Sequence, residues 1–445
     1  MMREPAFSLL PKPAKASLAG KRVLVLGLGD SGLSAARWVE RAGGMARVAD
    51  TRVAPPRKDS FQGELHLGPF DPSLLEGVDL VCLSPGLSLE QEVIRAAVAA
   101  SIPVLGDIEL FAWQNRQPVL AITGTNGKTT VTSLTGHLLR AARIDCEVAG
   151  NIGPPALDAL MKRQTPPAAW VLELSSYQLE TTWSLAPAAA AMLNLTEDHF
   201  DRYTGLDDYA AAKARVFMGA GTQVLNRDDA RSLGMAQAGR KVVTFGLDAP
   251  RGADFGVRGG NLVQGDDKIL AIDELSIRGS HNVANALAAC ALVSILGVDP
   301  RAGLKTFKGL PHRLELVATR RAVEWYDDSK GTNVGATVAA LRGLGKKTVL
   351  ILGGEGKGQD FTPLREPVRE FATQVLLIGR DAPLIEKVVS GERCSSLEAA
   401  VERAARIAKP GEAVLLSPAC ASFDMFRDYK HRGDVFAAAV RALAP

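Results

Sequence analysis

The chain has 445 residues, of which 47% are hydrophobic and 23% are charged, and its 52 basic and 49 acidic residues give a net charge of +3. This length predicts two to four domains. The near balance of charge, without any block of Lys and Arg, excludes a general nucleic-acid-binding surface. Five scattered cysteines, none in a CxxC pair, indicate reduced thiols rather than disulfides or a zinc site.

Neither the N-terminus nor the apolar segments predict a membrane protein. Residues 1–19 lack an apolar core of signal-peptide length. The longest apolar run, residues 286–298, is too short to span a bilayer and indicates a buried helix. We therefore expect a cytoplasmic protein with no membrane partner.

Residues 21–105 alternate between strands and helices, a pattern typical of a parallel sheet wrapped by helices. The predicted elements are a strand at 23–26, a helix at 33–42 and a strand at 46–50. A full GxGxxG, formed by Gly27, Gly29 and Gly32, joins the first strand to the helix, and Asp50 ends the second strand. Taken alone, this pattern predicts NAD. A UDP-linked group would meet the same needs, because glycines at a helix N-terminus suit any diphosphate.

The next strand–loop–helix unit carries a second phosphate-binding pattern. A predicted strand at 119–122 leads into Gly124-Thr-Asn-Gly127-Lys128-Thr129, and a helix follows at 131–142. The sequence departs from the general Gly-x4-Gly-Lys-Ser/Thr pattern, because position 122 is Ile122. Even so, Lys128 supplies a charge for phosphate and Thr129 a hydroxyl for magnesium. We predict an ATP site here.

Polar side chains follow further strands of the middle region, which we expect to end near residue 309. Glu173 ends an apolar strand, the usual position of a second magnesium ligand beside a phosphate loop. Another strand leads to Glu197-Asp198-His199, for which we predict a metal role. The pattern assigns no role to Lys213. The amides of Asn282 and Asn285 either cap the long apolar helix or face a ligand.

A third αβ region begins near residue 310. Its predicted strands lie at 349–352, 374–378 and 413–417, and its last helix at 434–443. The first of these strands enters a Gly-rich segment around Lys357, in which no Ser or Thr follows the lysine. We therefore interpret this segment as a substrate loop rather than a second ATP loop. A second doubly wound sheet fits the region.

Six motifs, taken together and in this order, resemble the Mur ligases: Gly124-Thr-Asn-Gly-Lys-Thr, Glu173-Leu-Ser-Ser, Glu197-Asp-His199, Gly309-Leu-Pro-His-Arg313, Asp328-Ser-Lys-Gly-Thr332-Asn and Ser417-Pro-Ala-Cys-Ala-Ser422. The resemblance covers the chain from about residue 20 to its end. It implies an α/β fold of three domains: a Rossmann-like UDP-binding domain at 1–106, a central P-loop ATPase domain at 107–309 and a Rossmann-like amino-acid-binding domain at 310–445.

The resemblance also implies a reaction. ATP would phosphorylate the alanine carboxylate of UDP-N-acetylmuramoyl-L-alanine, and the amine of D-glutamate would attack the acyl phosphate, in peptidoglycan precursor synthesis. Such chemistry needs positioning and charge neutralisation more than protein covalent chemistry. The implied cofactors are ATP and two Mg²⁺ ions, and we expect a monomer.

Site residues carry over from the resemblance by motif. The catalytic and metal-binding set comprises Lys128, Thr129, Glu173, His199 and Lys213, the last as a carbamate. The ATP-binding set comprises Gly124, Thr125, Asn126, Gly127, Lys128, Thr129, Thr130, Asn285, Arg313 and Asp328. The UDP-substrate set comprises Gly29, Asp30, Ser31, Asp50, Thr51, Arg52, Ser84, Gly86 and Asn151. The amino-acid set comprises Lys330, Thr332, Lys357, Ser422 and Tyr429, where Tyr429 replaces an expected Phe. Asp30 lies beside a diphosphate, so its side chain must point away or be paired.

Three alternatives remain open at this stage. A nicotinamide-dependent oxidoreductase would explain residues 27–50 but not the ATP loop. A non-catalytic nucleotide switch would leave Arg313, Lys330 and Lys357 without a purpose. Within the ligases, a sister enzyme that adds another amino acid, or a folylpolyglutamate synthase, would differ mainly in the third domain. Two lysines and two hydroxyls there favour a dianionic amino acid over a diamino acid.

Overall fold

Three successive stretches of the chain, each alternating short apolar strands with helices, form three separate sheets. The structure, a computed structural model, describes residues 6–200 and 202–443. The first five and last two residues of the predicted outer domains therefore lie outside the described residues.

The N-terminal sheet is entirely parallel. Its elements are β1 (Arg22–Leu26), α1 (Asp30–Arg41), β2 (Met45–Asp50), β3 (Glu64–Leu67), β4 (Leu80–Leu83), α2 (Glu92–Ala99) and β5 (Val104–Leu105). The strand order is β3-β2-β1-β4-β5. The order reverses beside β1, so the glycine-rich loop after β1 lies at the switch point, where open α/β sheets bind ligands.

The central sheet has nine strands, and the predicted ATP loop lies at the carboxyl end of one of its inner strands. Its strands are β6 (Val119–Thr123), β7 (Cys146–Gly150), β8 (Ala169–Glu173), β9 (Ala189–Met192), β10 (Thr222–Asn226), β11 (Val242–Phe245), β12 (Phe255–Arg258), β13 (Asn261–Gln264) and β14 (Asp267–Ala271). Its helices are α3 (Asp107–Gln114), α4 (Lys128–Ala141), α5 (Ala156–Lys162), α6 (Ser176–Glu180), α7 (Leu206–Ala214), α8 (Ala230–Leu233), α9 (Ser280–Ser294) and α10 (Arg301–Thr306). The strand order is β14-β13-β12-β11-β10-β9-β6-β8-β7.

Two features of this sheet bear on the sequence analysis. The apolar run is a buried helix as predicted, since eleven of the fifteen residues of α9 are buried. The antiparallel strands β12–β14, which extend one edge, were not predicted. They are short, they join at Gly259-Gly260 and Gly265, and β14 is largely exposed, so their apolar pattern is weak.

The C-terminal sheet has six strands in the order β15-β16-β20-β17-β18-β19, with β15 antiparallel at one edge. The elements are β15 (Glu315–Arg320), β16 (Val323–Asp327), α11 (Val334–Leu344), β17 (Thr348–Gly353), α12 (Arg365–Phe371), β18 (Ala372–Ile378), α13 (Ala382–Glu386), β19 (Glu392–Arg393), α14 (Leu397–Ile407), β20 (Ala413–Leu416) and α15 (Tyr429–Ala442). Within the described part of the chain, no helix is both long and apolar enough to cross a membrane.

Helix packing joins the sheets and fixes the loops at their carboxyl ends. One buried cluster runs from Val25 of β1 through Ile108 and Phe111 of α3 to Trp170 of β8, so the N-terminal and central sheets share a core. The Phe111 and Trp170 rings meet edge to face, with centroids 4.9 Å apart. This shared core holds the two phosphate-type loops in a defined relation.

Candidate active site

The loop after β6 has the geometry of a phosphate cradle. Gly124 and Gly127 have φ of +149° and +83°, which disfavours any residue with a Cβ. A Cβ on Gly127 would also lie 2.5 Å from Oδ1 of Asn285. The Nζ of Lys128 donates to the carbonyl oxygens of Gly124 and Thr125, at 2.9 and 2.8 Å. The loop therefore curls around its own lysine, and α4 begins at that lysine.

A second lysine converges on the same loop. The Nζ of Lys213, on α7, donates to the Gly124 carbonyl oxygen at 2.8 Å, and the residue is only 1% exposed. The Tyr209 ring lies beneath it, with Nζ 4.6 Å from the centroid. Burial, and then the charge of Lys128, lower the pKa of Lys213 well below its usual range. Lys213 therefore presents a readily deprotonated amine beside the phosphate loop.

Glu173 ends β8 next to this pair of lysines and retains an open coordination position. Its Oε1 accepts from Nδ2 of Asn151 at 2.7 Å. Its Oε2 is buried and accepts no hydrogen bond from any described residue. A buried carboxylate oxygen left in this state is costly unless a cation fills the position. Together with the hydroxyl of Thr129 in the first turn of α4, this oxygen fits Mg²⁺.

His199 and Asp198 lie on the loop that follows β9. The Nδ1 of His199 is 2.7 Å from the Tyr177 hydroxyl, and its Nε2 is 3.7 Å from Oδ2 of Asp198. The charge of Asp198 also acts to raise the pKa of both Lys128 and Lys213, against the larger effect of burial. His199 was predicted from the sequence as a site residue and Asp198 was not, although the acidic pair before His199 was the available signal.

A cavity of about 690 Å³ opens beside the phosphate loop, between the central and C-terminal sheets. Seven residues predicted for ATP or amino-acid binding line it: Asn126, Gly127, Thr130, Asn285, Arg313, Asp328 and Lys330. Phe245 and Leu247 add apolar surface that suits a nucleobase. Asn282 also lines it and donates to the Arg278 carbonyl oxygen, while Gly279 is the N-cap of α9. The two amides therefore face the cavity rather than cap the helix.

Asn333 connects the C-terminal sheet to the phosphate loop. It caps α11, because its side chain accepts from the backbone N–H of Ala336 at 2.8 Å. Its Nδ2 lies 3.2 Å from Oδ1 of Asn126 and 3.5 Å from Oδ2 of Asp198. The N-terminus of α11 in the C-terminal region thus contacts the ATP loop of the central region.

Arg313 enters the cavity from a constrained turn. The residues on either side, His312 and Leu314, have φ of +61° and +49°, an uncommon conformation for residues with a Cβ. The His312 ring is fixed by Asp327, with Nδ1 2.7 Å from Oδ2, and the Leu314 N–H donates to Oδ1 of Asp328 at 3.2 Å. His312, Glu315 and Asp327 are close enough to resemble a metal cluster, but the Asp327 contact occupies one imidazole nitrogen.

Asp328, predicted to contact the nucleotide, and Lys330, predicted to bind the amino acid, both lie at the carboxyl edge of the C-terminal sheet. Burial raises the pKa of Asp328 to about 7, and Ser417 donates to its Oδ2 at 2.7 Å. The Nζ of Lys330 lies 4.1 Å from the Tyr429 ring centroid, so the tyrosine supports the lysine through a cation–π contact. Burial, followed by Arg313, lowers the pKa of Lys330 to about 8.

Thr332, Lys357, Ser422 and Tyr429 are not among the residues that line the 690 Å³ cavity. Lys357 is exposed on the loop after β17, whereas Ser422 is buried.

Arg432 of α15, which was not predicted as a site residue, is fully buried and contacts the loops after β16 and β20. It donates to the carbonyl oxygens of Ser329 and Cys420 at 2.9 and 3.0 Å. No sequence signal separates this arginine from a surface arginine on an amphipathic helix.

The N-terminal glycine-rich loop is organised by two ion pairs. Both carboxylate oxygens of Asp50 accept from Arg52, at 2.8 and 2.7 Å, and Oδ2 also accepts from the Leu28 N–H at 2.7 Å. These contacts, led by the Arg52 side chain, lower the pKa of Asp50 to about 2. Asp30 is paired with Arg57, with Oδ1 2.5 Å from Nε.

The other predicted UDP-substrate residues surround the same loop. The Ser84 hydroxyl donates to the Gly27 carbonyl oxygen at 3.0 Å, which ties the end of β4 to the loop. Gly29 is the N-cap of α1, and Ser31 lies in its first turn. Thr51 follows β2, and Gly86 follows β4. Asp50, at the position where a dinucleotide-binding fold has its ribose-binding acid, is paired with Arg52 in this structure.

Three family descriptions match the chain: "Mur ligase MurD-like, N-terminal domain" over residues 21–106, "Mur ligase middle domain" over 122–293 and "Mur ligase, glutamate ligase domain" over 312–420. The chain is 52% identical to a UDP-N-acetylmuramoylalanine--D-glutamate ligase of Thiobacillus denitrificans, covering 96% of this chain and 97% of that protein. The same-named protein of Nitrosospira multiformis is 51% identical, with 96% of each chain covered.

The chain belongs to the Mur ligase family. The predicted three-domain α/β fold is confirmed, and so is the interpretation as a ligase. Mur ligases use ATP and Mg²⁺. Solved Mur ligases share the fold: MurF of Acinetobacter baumannii has a TM-score of 0.61 at 17% identity, covering 97% of this chain and 93% of that one. MurF of Thermotoga maritima, in complex with ADP, has a TM-score of 0.60 at 16% identity and full coverage of both chains.

Proposed function

We propose that this protein is the ATP-dependent ligase that joins D-glutamate to UDP-N-acetylmuramoyl-L-alanine, acting as a monomer in the cytoplasm, where its nucleotide substrates occur. The main structural support is that Lys128 and Lys213 converge on one carbonyl of the ATP loop beside the open oxygen of Glu173. The identity of the amino acid, including its D configuration, rests on the relatives that carry this name.

In the proposed reaction, a carboxylate oxygen of the L-alanine residue attacks the γ-phosphorus of ATP, and the bond to the β-phosphate oxygen breaks. Lys128 leaves the carbonyls that it now contacts and binds the β- and γ-phosphates, which neutralises charge as it develops. The neutral amine of D-glutamate then attacks the acyl carbon of the acyl phosphate. Phosphate leaves, the nitrogen loses a proton, and an amide remains.

The proposed metal-binding set is the one that the family resemblance implies, and the buried Oε2 of Glu173 supports it. Thr129 and Glu173 would hold one Mg²⁺, and His199 a second, with Lys213 as a carbamate in the second site's neighbourhood. When bound, Mg²⁺ neutralises phosphate charge and aligns the reacting oxygens. The lowered pKa of Lys213 supports its modification, because a neutral amine reacts with CO₂ and releases a proton as the carbamate forms. Electron density from a high-resolution crystal should show three extra heavy atoms on its Nζ, and an active enzyme with a well-ordered bare amine would exclude the carbamate.

In this proposal each substrate binds mainly to one region of the chain, and neighbouring regions add single contacts. Residues 1–106 bind the UDP group, with Asn151 contacting the same substrate from the central domain at 107–309. Asn285, Arg313 and Asp328 contact the nucleotide around the cavity. Within residues 310–445, Lys330, Thr332, Lys357, Ser422 and Tyr429 form the pocket for D-glutamate.

A phosphate-release assay tests the function directly. The full chain is incubated with ATP, Mg²⁺, UDP-N-acetylmuramoyl-L-alanine and each of a panel of D- and L-amino acids. We expect release with D-glutamate and little with L-glutamate, L-lysine or meso-diaminopimelate. Omitting the UDP substrate is the control for uncoupled ATP hydrolysis. Preference for another amino acid would make the protein a sister ligase with the same ATP chemistry.

Lys357→Ala tests the amino-acid pocket. The proposed loss of a charged contact to one carboxylate should raise the KM for D-glutamate by about 10-fold or more, while the KM values for ATP and the UDP substrate change little. Lys387→Ala, an exposed lysine of the same domain, is the matched control. If Lys357→Ala raised only the KM for ATP, the loop after β17 would bind the nucleotide rather than the amino acid.

A further inference from the structure

An aromatic cluster surrounds His199 and contains a hydrogen bond to which the proposed reaction assigns no role. Tyr177, Tyr203 and Tyr209 pack together around the loop after β9. Of these, Tyr177 bonds to the histidine: its hydroxyl oxygen is 2.7 Å from Nδ1, and the two rings meet edge to face with centroids 4.9 Å apart. The cluster thus controls how the imidazole is oriented.

Tyr177 is itself rigidly held. It lies in the first turn of α6, which begins with a capping box between Ser175 and Gln178 directly after Glu173. The Arg202 guanidinium lies 4.6 Å from the centroid of the Tyr177 ring. Arg202 is in turn fixed by an ion pair with Glu180 and by donation to the Leu87 carbonyl oxygen at 2.6 Å. The hydroxyl therefore has a defined position relative to β8 and the N-terminal sheet.

The other nitrogen of His199 faces a carboxylate. Its Nε2 lies 3.7 Å from Oδ2 of Asp198. Two ligands that bind one Mg²⁺ at adjacent octahedral positions are about 3 Å apart, so a small adjustment would bring both atoms onto a single ion. The same Asp198 oxygen is 3.5 Å from Nδ2 of Asn333. Nε2 therefore faces Asp198, which Asn333 connects to Asn126 of the phosphate loop, and Nδ1 faces Tyr177.

A neutral imidazole carries one proton and one free lone pair, and a metal ion needs the lone pair. For Nε2 to bind a metal, the proton must reside on Nδ1 and should have an acceptor there. The Tyr177 hydroxyl oxygen supplies that acceptor, while its own hydrogen rotates away. Metal-binding histidines are commonly fixed in this manner, and loss of the partner weakens metal affinity.

We propose that Tyr177 is a positioning residue, whose hydroxyl accepts from Nδ1–H of His199 and so directs the Nε2 lone pair to the second metal site beside Asp198. This inference rests on the proposed function, because it requires His199 to be a metal ligand. Tyr177 touches neither substrate nor metal in this role. Its effect is on the tautomer and orientation of the histidine.

Tyr177→Phe removes the hydroxyl and keeps the ring. Mn²⁺ replaces Mg²⁺ as the probe, and its binding to the full chain is titrated in the presence of the UDP substrate and a non-hydrolysable ATP analogue. We expect Mn²⁺ at the second site, that of His199, to bind about 10–100-fold less tightly, and the ¹⁴N coupling of His199 to Mn²⁺ in pulsed EPR to be lost or reduced. The KM for ATP and the melting temperature should stay close to wild type.

Two further variants make the result decisive. Tyr203→Phe removes a hydroxyl from the same cluster, leaves the Tyr177–His199 bond in place and should bind Mn²⁺ like wild type. His199→Ala should weaken Mn²⁺ binding at least as much as Tyr177→Phe does. Unchanged affinity in His199→Ala would overturn both the metal role of His199 and this inference. Weakened binding in His199→Ala with wild-type binding in Tyr177→Phe would overturn the inference alone. Equal losses in Tyr177→Phe and Tyr203→Phe would assign the effect to the general loss of a hydroxyl from the cluster, rather than to the bond with His199, and would also overturn the inference.

Discussion

Residues 27–32 and residues 124–129 each connect a parallel strand to the N-terminus of a helix through glycines, yet their electrostatic surroundings differ. In the first loop, Asp30 and Asp50 are each paired with an arginine, and the local charge is close to neutral. In the second, Lys128 and Lys213 donate to one carbonyl, and Glu173 keeps an oxygen open.

Binding a phosphate and transferring a phosphoryl group make different electrostatic demands on a site. Backbone N–H groups at a helix N-terminus are sufficient to bind an anion, and both loops have them. Phosphoryl transfer also requires charge that compensates the transition state, which two lysines and a buried carboxylate able to bind a metal can supply. Glycine patterns alone therefore do not distinguish the two tasks.

The largest effect is expected from Lys128→Ala. Loss of a charge-assisted phosphate contact should cost about 2–4 kcal/mol of transition-state stabilisation, or roughly 30- to 1,000-fold in kcat. Circular dichroism and the affinity for the UDP substrate should remain unchanged, because the N-terminal loop is separate. Lys162→Ala, an exposed lysine of the same domain, is the control. Near-normal phosphate release from folded Lys128→Ala would exclude this loop as the site of transfer.

A smaller effect distinguishes two glycines of the N-terminal loop. A Cβ on Gly32 would lie 1.8 Å from the Gly27 carbonyl oxygen, so Gly32→Ala should lower the melting temperature by roughly 10 °C through forced backbone movement. A Cβ on Gly29 meets no atom within 4 Å, and Gly29 has φ of −94°.

Gly29→Ala should therefore have the melting temperature of wild type. It should weaken only the binding of the UDP substrate, which calorimetric titration measures. NADH is the comparison ligand, and we expect it not to bind. Tight NADH binding, or equal melting temperatures for Gly29→Ala and Gly32→Ala, would contradict this description of the loop.

The smallest effect concerns the ion pair of Asp50. Its folded pKa, about 2, lies below the unfolded value of 3.8, so its contribution to stability is complete above about pH 4 and is lost as the pH falls through about 2. Asp50→Asn should reduce the free energy of unfolding at pH 7 by about 1–2 kcal/mol, after allowance for the half-exposed Arg52. Urea unfolding should show this difference shrinking from pH 7 to pH 3.

Asp30→Asn serves as the control for that measurement. Arg57 is about half exposed and Asp30 about two-thirds exposed, so their pair should contribute less than about 0.5 kcal/mol. A larger loss in Asp30→Asn than in Asp50→Asn would mean that the exposed pair, rather than the buried carboxylate, organises the loop.

Local sequence determined much of this protein. The order of strand, glycine loop and helix at both phosphate-type loops could be predicted, because glycine spacing, apolar runs and hydroxyls act over a few residues. The buried helix α9 followed from its apolar run for the same reason. The position of Lys128 at the start of α4 could also be predicted, because it follows directly on the glycine loop.

Tertiary structure decided the rest. Lys213 is 89 residues from the Gly124 carbonyl that it contacts, and Arg432 is 103 residues from Ser329, so no local pattern distinguishes either from a surface cation. The proximity of Asp198 to His199 Nε2 and the Asn333–Asn126 contact between domains also arise from chain packing. Burial changed the chemistry of these groups, because desolvation lowers the pKa of a lysine only after the fold has excluded water from it.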